Sequence, residues 1–325
     1  MMKKTWSCLA LALATCLLLS GCALWRSPAQ AEEGPYIDES VEELIFADSA
    51  EDDALAEALR RVDEMRHILL LGIDARPGEP TGRSDTMVIV TLDAKDRVIK
   101  LTSLMRDLYV EIPGRKNNRL NAAYVFGGPE LLMQTIEANF GVHIENYVAV
   151  NFSMLASLID QIGGIEVEIE SAYYVDRINA VIREDNRVLG LAPEDGFLKA
   201  PGRQTLTGKQ AQAYARYRYG TGDGDFGRTA RQREVLQKIF AKLSEKSALE
   251  LGGLAVANLG KVTTNLDLDD VLALIPAVPD MRGSRIEQLR IPVDGGYSAQ
   301  TVSGMAVLVP DRTVNKQAIV DFLTD

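Results

Sequence analysis

Three apolar, β-branched runs follow one another early in the chain: HILLLGID from His67, TMVIVTLDA from Thr86 and VIKLTSLM from Val98. Short runs rich in Ile, Val and Leu and separated by turn-like segments read as buried strands. Helical spacing then takes over in PELLMQTIEANFG and MLASLIDQIGG, with YVAVNF between them and IEVEIE behind them as further strands. Gly141 and Gly163 stand where helices close on a left-handed residue. Farther on, GKQAQAYARYR, TARQREVLQKIFAKLSE, LDDVLALIPAV and VNKQAIVDFL carry helical patterns, and RIEQLRIPV that of a strand. Strands interleaved with helices imply one α/β domain, residues 67–325, built on a layered sheet.

The segment before this domain differs in character. MMKKTWSCLALALATCLLLSGC opens with two lysines, runs uncharged from Trp6 and ends in small residues before Cys22, which is the pattern of an export signal. Leu19-Ser20-Gly21-Cys22 has the form of a bacterial lipobox, so residues 1–22 are expected to be a lipoprotein-type signal, with Cys22 acylated as the first mature residue. An uncleaved anchor helix is the alternative, because the uncharged run reaches Trp25 and about 20 apolar residues span a bilayer. Residues 23–66 read as an acidic tether and a short helix: from Glu32 to Glu57 there are eleven acidic residues and no basic ones. Either anchor puts the domain outside the cytoplasm and at the membrane. Cys8 and Cys16 lie within the signal, which leaves Cys22 alone and no disulfide available. His67 and His143 lack metal-ligand spacing, which argues against a zinc site or a Ser-His-Asp triad. Each reads as an ordinary structural or surface histidine.

The net charge is −11, or −13 once Lys3 and Lys4 leave with the signal (−11 − 2). That is the wrong sign for a general polyanion binder, so no nucleic-acid partner is expected. Against this background RYRYGTGDGDFGRTARQR, Arg216 to Arg233, concentrates five arginines, four glycines and two aspartates. On a helical projection Arg228, Gln232, Val235, Leu236, Ile239 and Leu243 share one stripe, with Arg231 on its flank. An arginine on a core-facing stripe needs a buried acid or a bound anion. Arg216 and Arg218 end the preceding helix, and Gly220, Gly222, Gly224 and Gly227 permit close approach to a helix N-terminus that attracts anions. Salt bridges to Asp223, Asp225 and other acids are the structural alternative, but the arginines outnumber the local acids.

A second constellation lies upstream. GIDARPGEPTGRSDTM places Asp74, Arg83 and Asp85 between two strands, followed by Arg106-Asp107 and then by Arg115, Lys116, Arg119 and Asn121. Loops at strand ends are where α/β sheets put ligands. Two carboxylates with an arginine between them could hold a hydrated Mg2+ against phosphate oxygens. Neither a GxxxxGK[ST] loop nor a GxGxxG after the first strand occurs. Together the two constellations describe a pocket for a diphosphate with a divalent cation, and no obvious protein nucleophile.

Five blocks, LLLGIDARPGEPTGRSDTM, SLMRDLYVEIPG, RLNAAYVFGGPELL, NFSMLASLIDQIGGIEVEI and LTGKQAQAYARYRYGTGDGDFGRTARQREVL, resemble in order those of the LytR-CpsA-Psr family, from about His67 to Leu243. The resemblance implies a layered αβα fold in which helices flank a central mixed β-sheet and a lipid tail lies in an apolar groove. It implies an extracytoplasmic, Mg2+-dependent phosphotransferase that moves an anionic glycopolymer from a polyprenyl-diphosphate carrier to a hydroxyl of peptidoglycan. A polyprenyl-diphosphate glycolipid pyrophosphatase and a non-catalytic glycolipid-binding envelope lipoprotein are the alternatives. By position, Asp74 and Asp85 resemble the metal-linked aspartates. Asp225, Arg106 and Arg228 are the expected catalytic residues, and Arg83, Arg119, Asn121, Arg216, Arg218 and Gln232 the expected substrate-binding ones. Arg119 stands where family members more often carry lysine, which keeps the charge. Acylation at Cys22 replaces the transmembrane anchor expected of most members, a change of tether and not of chemistry. The regulatory association in the family's name has little support in an exported acidic chain without a DNA-binding motif.

Overall fold

The three apolar runs form three strands, β1 (Arg66–Asp74), β2 (Arg83–Asp93) and β3 (Val98–Leu104). All seven residues of β3 are buried, as in a strand covered on both faces. The structure, a computed structural model, describes residues 58–59, 61–62, 65–74, 82–93, 98–217, 224–258, 262–267 and 285–325. The leader and the tether up to residue 57, Cys22 included, lie outside them, as does the whole of the helix read at LDDVLALIPAV. Among the described residues no helix is long and apolar enough to cross a membrane.

After β3 come β4 (Tyr109–Val110), β5 (Asn118–Arg119), α1 (Leu120–Phe140), β6 (Asn146–Asn151), α2 (Phe152–Gln161), β7 (Ile165–Ile169) and α3 (Ala172–Leu189). They are followed by β8 (Gly202–Leu206), α4 (Gly208–Arg216), α5 (Gly224–Ser244), α6 (Ala248–Asn258) and β9 (Thr263–Thr264). The chain closes with β10 (Arg285–Ile291), β11 (Tyr297–Val302), β12 (Met305–Pro310) and α7 (Arg312–Thr324). Among the described residues the central sheet has six strands in the order β10-β3-β2-β1-β6-β9. It is mixed, since β1 and β2 and β2 and β3 pair antiparallel while β10 joins β3 in parallel. The residues fall into two compact units, one within Cys22–Val148 and Ser284–Asp325 and the other within Ala149–Gly283, with β6 crossing from one to the other.

In the first, the sheet unit, α1 packs on β2, and α7 packs on β3, on β10 and on α1. Lys100 sits inside the apolar β3 because its Nζ donates to the carbonyl of Leu323, 3.0 Å away in the last turn of α7. A cation there also meets the negative end of the helix dipole. His67 is buried, with Nε2 donating to Val62 O at 2.9 Å and Nδ1 2.7 Å from Thr91 Oγ1; exposed His143 lies 3.0 Å from Glu137 Oε1. Both are structural or surface histidines, as expected. α1 is broken at Gly127 and Gly128, whose backbone is not helical, and Pro129 starts its second half. The sequence pattern showed that second half alone. Gly141 closes α1 at φ 71, and Gly163 follows α2 at φ 83.

In the second, the helical unit, β7 and β8 form a separate antiparallel pair. The alternating burial of IEVEI marks the single covered face of β7. Thr207 and Gln210 start α4 with a reciprocal capping box, the sequence signature of which is Thr-Gly-Lys-Gln.

Candidate active site

In the sheet unit the antiparallel pairing sets the end of β1, the start of β2 and the end of β3 together at one end of these central strands. Register there is irregular: Gly72 pairs with Thr86 and Ile73 with Ser84, so Asp85 is an extra residue in a β-bulge. Bulges bend a strand and re-aim the side chains beside them. Gly72 permits the close approach, because a Cβ on it would stand 2.8 Å from Thr86 Cβ. The Asp85 carboxylate accepts from Arg106 Nη1 at 2.9 Å. Arg106 Nε lies 3.6 Å from Asp107 Oδ2, and Arg119 Nε lies 3.5 Å from Asp107 Oδ1. The β4/β5 ladder, Tyr109 opposite Arg119, returns Arg119 to this place. Its Nη2 also donates to Ala306 O at 2.6 Å. Asn121, buried in the first turn of α1, is tied to the same cluster by its backbone N–H, which donates to Arg106 O at 3.3 Å. Of Asp74 and Arg83 the backbone alone is described, as directly paired residues of β1 and β2.

In the helical unit five of the six projected stripe residues, Arg228, Gln232, Val235, Ile239 and Leu243, are buried, and so is Arg231 on its flank, whereas Leu236 is only half-buried. Arg228 is 4% exposed, and its Nη2 lies 3.2 Å from Oδ2 of Asp225, which is 18% exposed and sits in the first turn of α5. Asp225 is thus an acid partner of the kind an inward arginine requires. Arg231 Nη2 donates to the carbonyl of Tyr217 at 2.5 Å, and its guanidinium carbon lies 3.7 Å from the centroid of the Tyr217 ring. A clasp joins α4 to α5, where Tyr214 OH donates to Glu234 Oε2 at 2.6 Å. Burial, and then that hydrogen bond, push the Tyr214 phenol well above its ordinary range. Burial also raises Tyr217, against the pull of Arg231. Arg216 ends α4 paired with Asp185 of α3, while Arg218 lies outside the described residues.

Acid pairing, the structural alternative weighed for the arginines from Arg216 to Arg233, thus holds for Arg216 and Arg228, and Arg106 and Arg119 are acid-paired as well. The sequence reading did not include Asp185, Phe152, Tyr217 or Glu234 in the site. The helical period of YYVDRINAVIREDNRVL, with Gly190 behind it, is the signal that would have exposed α3 and Asp185. Nothing comparable marks the bulge at Asp85, which depends on strand register.

Each unit carries arginines braced by carboxylates and main-chain carbonyls, and an arginine held in this way can offer its remaining N–H groups to an anion. The chain belongs to the LytR_cpsA_psr family, whose model matches residues 38–319. It is 35% identical over 237 residues to the polyisoprenyl-teichoic acid–peptidoglycan teichoic acid transferase TagU of Bacillus cereus (strain ZK / E33L), covering 72% of this chain and 71% of that protein. The solved structure described as "TagT bound to LIIa-WTA" matches with a TM-score of 0.62 and 27% identity over 80% of this chain and 89% of that one. The LytR-CPS2A-psr family protein YwtF (TagT) with bound octaprenyl pyrophosphate lipid matches with a TM-score of 0.57 and 25% identity, over 80% and 88%.

Proposed function

We propose that this protein transfers an anionic glycopolymer from a polyprenyl-diphosphate carrier to a hydroxyl of peptidoglycan, outside the cytoplasm and held to the membrane through an acylated Cys22. The observation that carries this reading is the pair formed by Asp225, a carboxylate in the first turn of α5, and Arg228, a nearly buried arginine three residues on. The names of TagU and of the lipid-bound TagT structure support it.

The acceptor hydroxyl attacks the phosphorus that bears the glycan, its bond to the polyprenyl phosphate breaks, and a phosphodiester forms. Asp225 orients the hydroxyl and takes its proton, and Arg228 holds that carboxylate in place. Arginines fixed in advance by their partners stabilise charge on the phosphoryl oxygens and on the departing polyprenyl phosphate. Arg106, Arg119 and Arg216 are held in this way; in this reading Arg83 and Arg218 bind the same phosphates, with Asn121 and Gln232 as polar contacts.

Among the described residues no group of three or more metal-ligating side chains occurs. Mg2+, however, keeps most of its waters and needs one or two carboxylates. In this reading Asp85, on its bulge, and Asp74, at the end of β1, are those carboxylates. When bound, Mg2+ would supply charge neutralisation at the diphosphate.

The test is Asp225→Asn. Turnover should fall by about 10²–10⁴, the contribution of a positioned base, while affinity for a polyprenyl-diphosphate glycan persists. Turnover retained at saturating substrate would remove Asp225 from the mechanism and leave the proton without this acceptor.

A further inference from the structure

Arg216 is confined on one edge and one face. Its Nη1 donates to both carboxylate oxygens of Asp185, at 2.9 and 2.8 Å, and its guanidinium carbon lies 4.6 Å from the centroid of the Phe152 ring. The two side chains are 27% and 22% exposed, so the pair is held yet within reach of a ligand. Both contacts leave Nε and Nη2 unused, and neither nitrogen has a partner among the described residues. Asp185 is itself well seated. Its neighbour Asn186 is fully buried, with Nδ2 donating to the carbonyls of Pro193 and Asp195, and Oδ1 accepting from Lys209 Nζ on α4. α3 lies outside each of the five sequence blocks that carry the family resemblance.

We propose that Asp185 is a positioning residue: with Phe152 it fixes Arg216 so that the Nε and Nη2 edge is the one offered to a phosphate oxygen. The inference rests on the reading of Arg216 as a diphosphate ligand. A free arginine samples many rotamers and loses that freedom on binding, whereas one held beforehand by an acid and a ring has already lost it. The opposite role for Asp185 is a competing anion that occupies the arginine and repels the ligand. The two roles differ in sign: removing a competitor tightens binding, and removing a positioning group loosens it.

The test uses the purified protein with Mg2+ and farnesyl diphosphate as probe, followed by calorimetry, together with steady-state transfer kinetics. Asp185→Asn should weaken probe binding and raise KM by about three- to tenfold, the scale of one immobilised long side chain, with a smaller change in kcat. Phe152→Leu should act in the same direction, and Asp185→Glu should restore part of the loss. Tighter binding in Asp185→Asn would overturn the proposal. So would unchanged binding there alongside weakened binding in Arg216→Ala. An Arg216→Ala protein that binds normally would instead remove the underlying reading of Arg216, and the proposal with it.

Discussion

Replacing either member of the pair formed by Arg228 and Asp225 should have unequal effects on stability, in an order set by which charge is left behind. Arg228→Met puts an apolar side chain of similar length on a stripe shared with Val235 and Ile239, and leaves the Asp225 carboxylate, which is 18% exposed and can hydrate. That carboxylate also lies in the first turn of α5, where the helix dipole favours a negative charge by about 0.3–1 kcal/mol. The expected loss is about 1 kcal/mol, well under the 3–5 kcal/mol typical of a broken, fully buried pair. Asp225→Asn leaves the guanidinium, 4% exposed, with a neutral acceptor in place of an ion, and should cost more, about 2–3 kcal/mol. At about 2–4 °C per kcal/mol for a domain of this size, melting should fall by only a few degrees in Arg228→Met and by roughly 5–10 °C in Asp225→Asn. Turnover should nonetheless fall by about 10²–10³ in Arg228→Met, as when one positioned donor is removed from a phosphoryl or acyl site. Scanning calorimetry and transfer kinetics on the same preparations make the comparison. A reversed order of melting temperatures, or an Arg228→Met protein that is unstable yet fully active, would refute the reasoning.

Lys100→Met should change stability by less than about 1 kcal/mol, because a well-packed apolar side chain can replace a buried charge, whereas Lys100→Ala should cost about 2–4 kcal/mol through the space it leaves between β3 and α7; urea unfolding checks both. Tyr147 is pushed up to about 12, by burial first and then by the charges of Glu130 and Tyr124. Its folded state therefore favours the neutral phenol, and that contribution is intact below its ordinary value of 10 and lost as pH rises through about 12. Tyr147→Phe should flatten the decline of the urea midpoint across that window, and an unchanged decline would contradict the assignment. Cys22→Ala should abolish incorporation of labelled fatty acid, while a wild-type protein that takes up no label would refute acylation.

The parts of the fold written in short-range periodicity were legible beforehand. The three apolar runs became β1, β2 and β3, and the stripe from Arg228 to Leu243 is buried apart from Leu236. What the sequence hid depends on long-range register and pairing. The bulge that re-aims Asp85 exists only once β1 and β2 are aligned. Asp185 is one acid among several in a polar helix until α3 lies beside Arg216. The helical pattern begins at Pro129, whereas α1 starts at Leu120 and runs across Gly127 and Gly128, whose backbone is not helical. Local charge counting was also incomplete: arginines in excess of the acids near them in sequence found acids elsewhere, as Arg216 did in Asp185, 31 residues away.

Transfer to a hydroxyl, as opposed to hydrolysis or simple binding, is tested most directly by running the reaction in ¹⁸O-water with a polyprenyl-diphosphate glycan, Mg2+ and peptidoglycan fragments, and weighing the products. A phosphodiester-linked adduct free of ¹⁸O, formed in step with polyprenyl monophosphate, is the predicted result. Sugar phosphate carrying one ¹⁸O, without any adduct, would show that water is the acceptor and contradict the account.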